Sequence, residues 1–139
     1  MEIRQGIDIV EIRRMKDACE RHGERFLKRV FSIGERSYCE SKRMKYEHYA
    51  ARFAAKEAVL KVVKASRAER YRFRDIEVRR HPTGKPYIHL LPAVRKRLGL
   101  PSEYQMELSL AHEREYAVAA VILILPDLTR KSSGKTRNK

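Results

Sequence analysis

The sequence predicts a single α+β domain, and three observations carry that prediction. At 139 residues the chain has room for one core and little for a second. With 42% hydrophobic and 36% charged residues, the composition supports a packed interior under a heavily charged surface and argues against wholesale disorder. The order of elements is the third: one long uninterrupted helical stretch followed by strands in succession, without strict β-α-β alternation.

The elements follow in chain order. Ile3, Ile7 and Ile9 occupy odd positions, the alternation of a strand, so Gly6, Asp8 and Val10 lie on its opposite side. Residues 11–31 read as one or two basic amphipathic helices, with Gly23 as the break. Ser32 with Glu35 three residues on has the spacing of a capping box and opens a short helix to Lys42. The long helix runs from Met44 to Lys64, alanine-rich in its middle and free of Gly and Pro. Strands at 75–80 and 86–90 flank a His81-Pro82-Thr83-Gly84 turn, and a short helix from Pro92 to Leu98 is stopped by Gly99 and Pro101. Strands near 105–111 and 116–125 end the ordered part, giving a domain over 1–125. Residues 126–139, with five basic residues and almost nothing apolar, read as a disordered tail.

The formal net charge is +14, and residues 126–139 contribute five bases and one acid, or +4, which leaves +10 on the remainder. The basic character therefore belongs to the domain, and its partner should carry negative charge: nucleic acid, an acidic protein or a phosphorylated small molecule. The longest apolar stretch, Tyr116 to Leu125, is about half of what crosses a bilayer, and the N-terminus lacks the layout of a signal peptide. A cytoplasmic protein is expected, with Cys19 and Cys39 as buried or idle thiols.

Two carboxylates are out of place. Tyr49, Phe53 and Leu60 recur at helical spacing and define an inward face on the long helix, and Glu57 falls inside that stripe. A buried charge needs a partner, either Lys61 one turn later in the favourable order, or a donor set, a cation or a metal. Asp8 sits mid-strand between isoleucines, where aspartate is disfavoured, with a solvent-facing position as the plain alternative. If strand and helix meet there, the two carboxylates suit a hard cation such as Mg²⁺ whose shell is completed by substrate phosphates. Arg52, Lys56, Lys61 and the Arg43/Lys45 pair could neutralise further phosphate charge, or serve as solvated helix faces. Gly84-Lys85-Pro86 is a possible anion cradle or simply a turn, and it is no Walker A loop. His112 ends a strand, a position open to a functional or a structural role. Arg14, Arg21, Arg25 and Lys28, with Met15 among them, form one basic side if the helical phase holds across Gly23. That side suits an acidic helix, with phosphate binding and a solvated face as alternatives.

Taken together, Gly6-Ile7-Asp8-Ile9-Val10-Glu11, Arg52-Phe53-Ala54-Ala55-Lys56-Glu57-Ala58, Gly84-Lys85-Pro86 and Ser109-Leu110-Ala111-His112 resemble holo-acyl-carrier-protein synthase, the short trimeric group of 4′-phosphopantetheinyl transferases, from about residue 3 to 124. The resemblance implies an antiparallel sheet packed on a long central helix. It also implies transfer of 4′-phosphopantetheine from coenzyme A to a serine of an apo-acyl carrier protein, releasing adenosine 3′,5′-bisphosphate, in a cytoplasmic enzyme of fatty acid biosynthesis. Asp8 and Glu57 match the family's Mg²⁺ carboxylates and, with Lys61, its catalytic set. Lys61, His112, Arg52, Arg43, Lys45, Gly84, Lys85 and Pro86 match positions around coenzyme A. Arg14, Met15, Arg21, Arg25 and Lys28 correspond to the helix that receives the acidic carrier, and a homotrimer with sites between subunits is implied. The proton acceptor for the serine stays open between a water held near Asp8 and Glu57 and His112.

One departure stands out. Where the family carries a Gly-Thr-Gly loop after this helix, the chain reads Val62-Val63-Lys64-Ala65-Ser66-Arg67. A positive φ or a close backbone approach cannot be copied by Lys64 and Ala65, so contact there falls to the side chains of Lys64, Ser66 or Arg67. Outside this family, a small RNA-binding protein is the competing reading, although no RNP pattern, GXXG loop or zinc-finger spacing is present. A relative that binds coenzyme A without catalysis is a third.

Overall fold

The structure, a computed structural model, describes residues 1–63 and 73–127. The Lys64–Arg67 departure and all but the first two residues of the 126–139 tail lie outside the described residues. The elements are β1 (Glu2–Glu11), α1 (Ile12–Val30), α2 (Ile33–Glu40), α3 (Lys45–Val62), a 3₁₀ turn (Phe73–Asp75), β2 (Glu77–Arg80), β3 (Pro86–His89), α4 (Pro92–Arg97), β4 (Gln105–His112) and β5 (Tyr116–Leu125).

Three antiparallel strands in the order β1-β5-β4 form the main sheet, and β2 pairs with β3 in a separate hairpin. Helix α3 lies across the main sheet. Its alanines 50, 51, 54, 55 and 58 are buried, and small side chains let helix and sheet approach closely. Gly6 sits at the closest point, where an added Cβ would lie 2.5 Å from the Ala58 carbonyl oxygen and 2.9 Å from Val62 Cγ1. Gly6→Ala should therefore push β1 off α3 and cost about 1–3 kcal/mol, read as a lower denaturant midpoint. An unchanged midpoint would mean that the helix can retreat freely.

This close fit corrects one expectation. Tyr49 is fully buried, but Phe53, Glu57 and Leu60 are only half-buried. The face pressed on the sheet is the alanine and valine face, because larger side chains find room only on the flank. A second cluster, including Met15, Cys19, Phe31, Cys39 and Tyr49, joins α1 and α2 to the N-terminal half of α3.

Gly23 breaks α1 as expected, with φ 60° and ψ −148°. The Ser32/Glu35 capping box is also formed: Glu35 N donates to Ser32 Oγ, and Ser32 N donates to Glu35 Oε1. Glu35 then does something local sequence does not announce. It is buried with Lys56, whose ammonium donates to Glu35 Oε1 at 2.8 Å, to Ile76 O at 2.7 Å and to Phe73 O at 3.0 Å, while Val78 N donates to Glu35 Oε2. Lys56 is thus neither a solvated side chain nor a phosphate ligand. It ties α2, α3 and the start of β2 together.

Cys19 and Cys39 are free and buried, as expected. Burial pushes the Cys19 thiol up to about 11 and the Cys39 thiol up to about 12. Neither should react with a thiol reagent at pH 8 until denaturant unfolds the chain. Rapid labelling of the native protein, followed by mass spectrometry, would contradict that packing.

Candidate active site

Strand alternation sends Asp8 toward α3 and leaves the isoleucines on the outer face of the sheet. Ile3, Ile7 and Ile9 are 55%, 63% and 62% exposed. The solvent-facing alternative for Asp8 is therefore reversed: its side chain is only 19% exposed. Across from it, Lys61 Nζ donates to Asp8 Oδ1 at 3.1 Å and to the Ile7 carbonyl at 2.7 Å. Lys61 thus reaches β1 instead of forming the expected pair one turn back with Glu57. The Glu57 carboxyl is pushed up, first by partial burial and then by the like charge of Asp8, with Lys61 opposing both. Asp8 and Glu57 line one cleft of about 390 Å³, with Glu11, Arg14, Met15 and Phe53 among its other walls.

From that cleft a basic path runs along α1. Arg14 borders both the acidic cleft and a hollow shared with Arg21 and His22, and a third hollow of about 710 Å³ follows between Arg21, Arg25, Phe26 and Arg29. The expected basic stripe needs correction in three respects. Gly23 is non-helical, so the phase does not carry through it. Arg29, missed in the sequence, lines the path, whereas Lys28 is paired with Glu24 in an exposed contact. Met15, at 4% exposure, is core that forms the floor of the cleft and is not an apolar surface contact.

The remaining basic candidates gather elsewhere. Arg52 is buried, with its guanidinium 4.0 Å from the Tyr38 ring centre and Nη1 donating to His48 O at 3.5 Å, and its Nε finds no partner among the described residues. His112 Nδ1 lies 3.0 Å from Glu47 Oε1. Arg43 and Lys45 line a hollow of about 370 Å³ with Arg13, Lys16, Glu47 and Arg114. Glu47 and Glu57 are ten residues apart on α3, about 15 Å along the axis. Gly84 (φ 92°) lies in the turn between β2 and β3, and Lys85 is ion-paired to Glu107 on β4, the edge strand opposite β1. One chain therefore joins Lys61 to Asp8 beside Glu57, while none of Arg43, Lys45, Arg52, His112 and the Gly84-Lys85-Pro86 turn lines their cleft.

A sequence model of the 4′-phosphopantetheinyl transferase superfamily matches residues 4–121, and the chain belongs to that superfamily. Its relatives define the group more narrowly. The holo-acyl-carrier-protein synthase of Ruminiclostridium cellulolyticum is 40% identical over 128 residues, 91% of this chain and 96% of the relative. That of Halothermothrix orenii is 41% identical over 84% of this chain and 93% of its own length. Among solved structures, the Chronobacterium ammoniagenes ACPS–CoA complex superimposes with a TM-score of 0.80 at 28% identity, covering 91% of this chain and all of that one. The Helicobacter pylori holo-acyl-carrier-protein synthase in complex with coenzyme A gives 0.75 at 28% identity, covering 87% and 100%.

Proposed function

We propose that this chain transfers 4′-phosphopantetheine from coenzyme A to a serine of an apo-acyl carrier protein, releasing adenosine 3′,5′-bisphosphate. The observation that carries the reading is the convergence of Asp8 and Glu57 in a cleft continuous with a basic path along α1. Arg14, Arg21, Arg25 and Arg29 dock an acidic carrier, and the path leads its serine to the carboxylates. The serine oxygen attacks the β-phosphorus of coenzyme A. The new O–P bond replaces the bond to adenosine 3′,5′-bisphosphate, and the hydroxyl proton leaves to water held at the carboxylates. His112 of the same chain is tied to Glu47 and does not line that cleft. Lys61, bonded to Asp8, meets the pyrophosphate charge.

Asp8 and Glu57, two oxygen donors lining one cleft, fit Mg²⁺, which takes one or two carboxylates and fills its shell with phosphate and water. Bound there, the ion would withdraw charge from the pyrophosphate. EDTA should abolish transfer and Mg²⁺ should restore it; activity that survives chelation would remove the metal from this reading.

The outer face of the main sheet supports a homotrimer. Register pairs Ile3 with Ile124, Ile7 with Ala120 and Ile9 with Val118, making a continuous apolar surface of a kind monomers rarely expose. A second copy of the chain covers it, and Arg43, Lys45, Arg52, His112 and the Gly84-Lys85-Pro86 turn then meet coenzyme A from the neighbouring subunit. Ile7→Glu should give a folded monomer by light scattering and lose coenzyme A binding. A trimer that survives the substitution would place the contact elsewhere. Two buried free thiols and a described structure without a helix long and apolar enough to cross a membrane accord with a cytoplasmic enzyme serving fatty acid biosynthesis.

The deciding experiment is mass spectrometry of an apo-carrier incubated with the protein, coenzyme A and Mg²⁺. A gain of one phosphopantetheine group is expected. Coenzyme A binding without that gain would indicate a non-catalytic relative, and tight RNA retention with a steep salt dependence would indicate the nucleic-acid alternative.

A further inference from the structure

We infer that Glu47 is a positioning residue, whose carboxylate fixes the His112 ring so that its second nitrogen faces a phosphate of coenzyme A. The inference rests on the reading of His112 as a coenzyme A contact, and it adds a residue that neither local motif nor spacing had singled out. Glu47 lies in the first turn of α3 and is only 8% exposed. A carboxylate so placed requires a donor, and its side-chain partner is His112 Nδ1 at 3.0 Å. That contact consumes Nδ1 and leaves Nε2 to meet a ligand, with about a third of the His112 side chain exposed.

On α3 the His48 ring packs edge-on against His112 at 4.9 Å, and its proton is disfavoured by burial first and then by His112, Arg52 and Lys42. Of the two packed imidazoles, His112 is the one held by a carboxylate. Arg52 and Lys42 bear on His48 from the α3 and α2 sides and Tyr38 packs edge-on against it, while Glu113 and Arg114 follow His112 in the chain. Glu47 also borders the basic hollow of Arg43, Lys45 and Arg114. A lone carboxylate there would repel a phosphate, and engagement with His112 converts it into support for one.

The test compares wild type, Glu47→Gln, Glu47→Asp and His112→Ala in steady-state transfer assays against coenzyme A. In Glu47→Gln, KM for coenzyme A should rise about tenfold, the size of one charge-assisted hydrogen bond, with kcat within about twofold. Glu47→Asp should recover part of the loss. An unchanged KM in Glu47→Gln alongside a raised KM in His112→Ala would overturn the positioning role. An unchanged KM in both would instead remove His112 from the coenzyme A site, and this inference with it. A fall in kcat together with an earlier unfolding midpoint, with no rescue by Glu47→Asp, would reduce Glu47 to a structural residue and also overturn the proposal.

Discussion

Glu57→Gln and Asp8→Asn should each lower phosphopantetheine transfer by about three powers of ten while leaving the unfolding midpoint within about 1 kcal/mol of wild type. The size follows from the several kcal/mol of transition-state charge stabilisation that a metal-holding carboxylate supports, at 1.36 kcal/mol per tenfold in rate. Stability should barely move. The Asp8–Lys61 pair has its lysine half-exposed, a contact of the kind worth less than about 1 kcal/mol, and neutralising Glu57 relieves repulsion from Asp8 instead of breaking a bond. A rate loss paired with a large stability loss would mean that these carboxylates hold the fold together. Full activity in either variant would sink the active-site reading. The measurement is mass-resolved carrier modification alongside urea denaturation.

Glu35→Ala should have the opposite signature, with a loss of about 3–5 kcal/mol in unfolding free energy. The variant strands the Lys56 ammonium at zero exposure with only two backbone carbonyls, and it also removes the acceptors of Ser32 N and Val78 N. Burial already pushes the Lys56 ammonium down, and Glu35 is what opposes this. Activity per folded molecule should change far less than stability, since neither side chain lines the Asp8–Glu57 cleft. Denaturant titration reads the effect, and a loss below about 1 kcal/mol would mean that water or a rearranged partner compensates the lysine.

These two pairs of residues mark how far local pattern reaches. The capping box at Ser32 and Glu35 was legible because a cap is a contact across three residues, and its geometry follows from spacing alone. That the same Glu35 anchors Lys56, 21 residues away, was not legible, because nothing in a helical stretch distinguishes a lysine pointing to water from one pointing to another helix. The break at Gly23 was visible in composition. The consequence for the basic path, which gains Arg29 and loses Lys28, depended on the direction the chain takes after a positive φ.

By itself the sequence determined the α+β class, the order of the elements, the domain's positive charge, and the oddity of Asp8 and Glu57. Periodicity and caps act over a few residues, and charge is a sum that needs no coordinates. Only tertiary structure decided that β1 turns its isoleucines outward and Asp8 inward, that Lys61 crosses to β1, and that Arg43, Lys45, Arg52 and His112 do not line the cleft of Asp8 and Glu57. Alternation fixes which residues share a strand face but not which face is covered, and the answer depends on where the alanine face of α3 can approach closely enough to pack on Gly6.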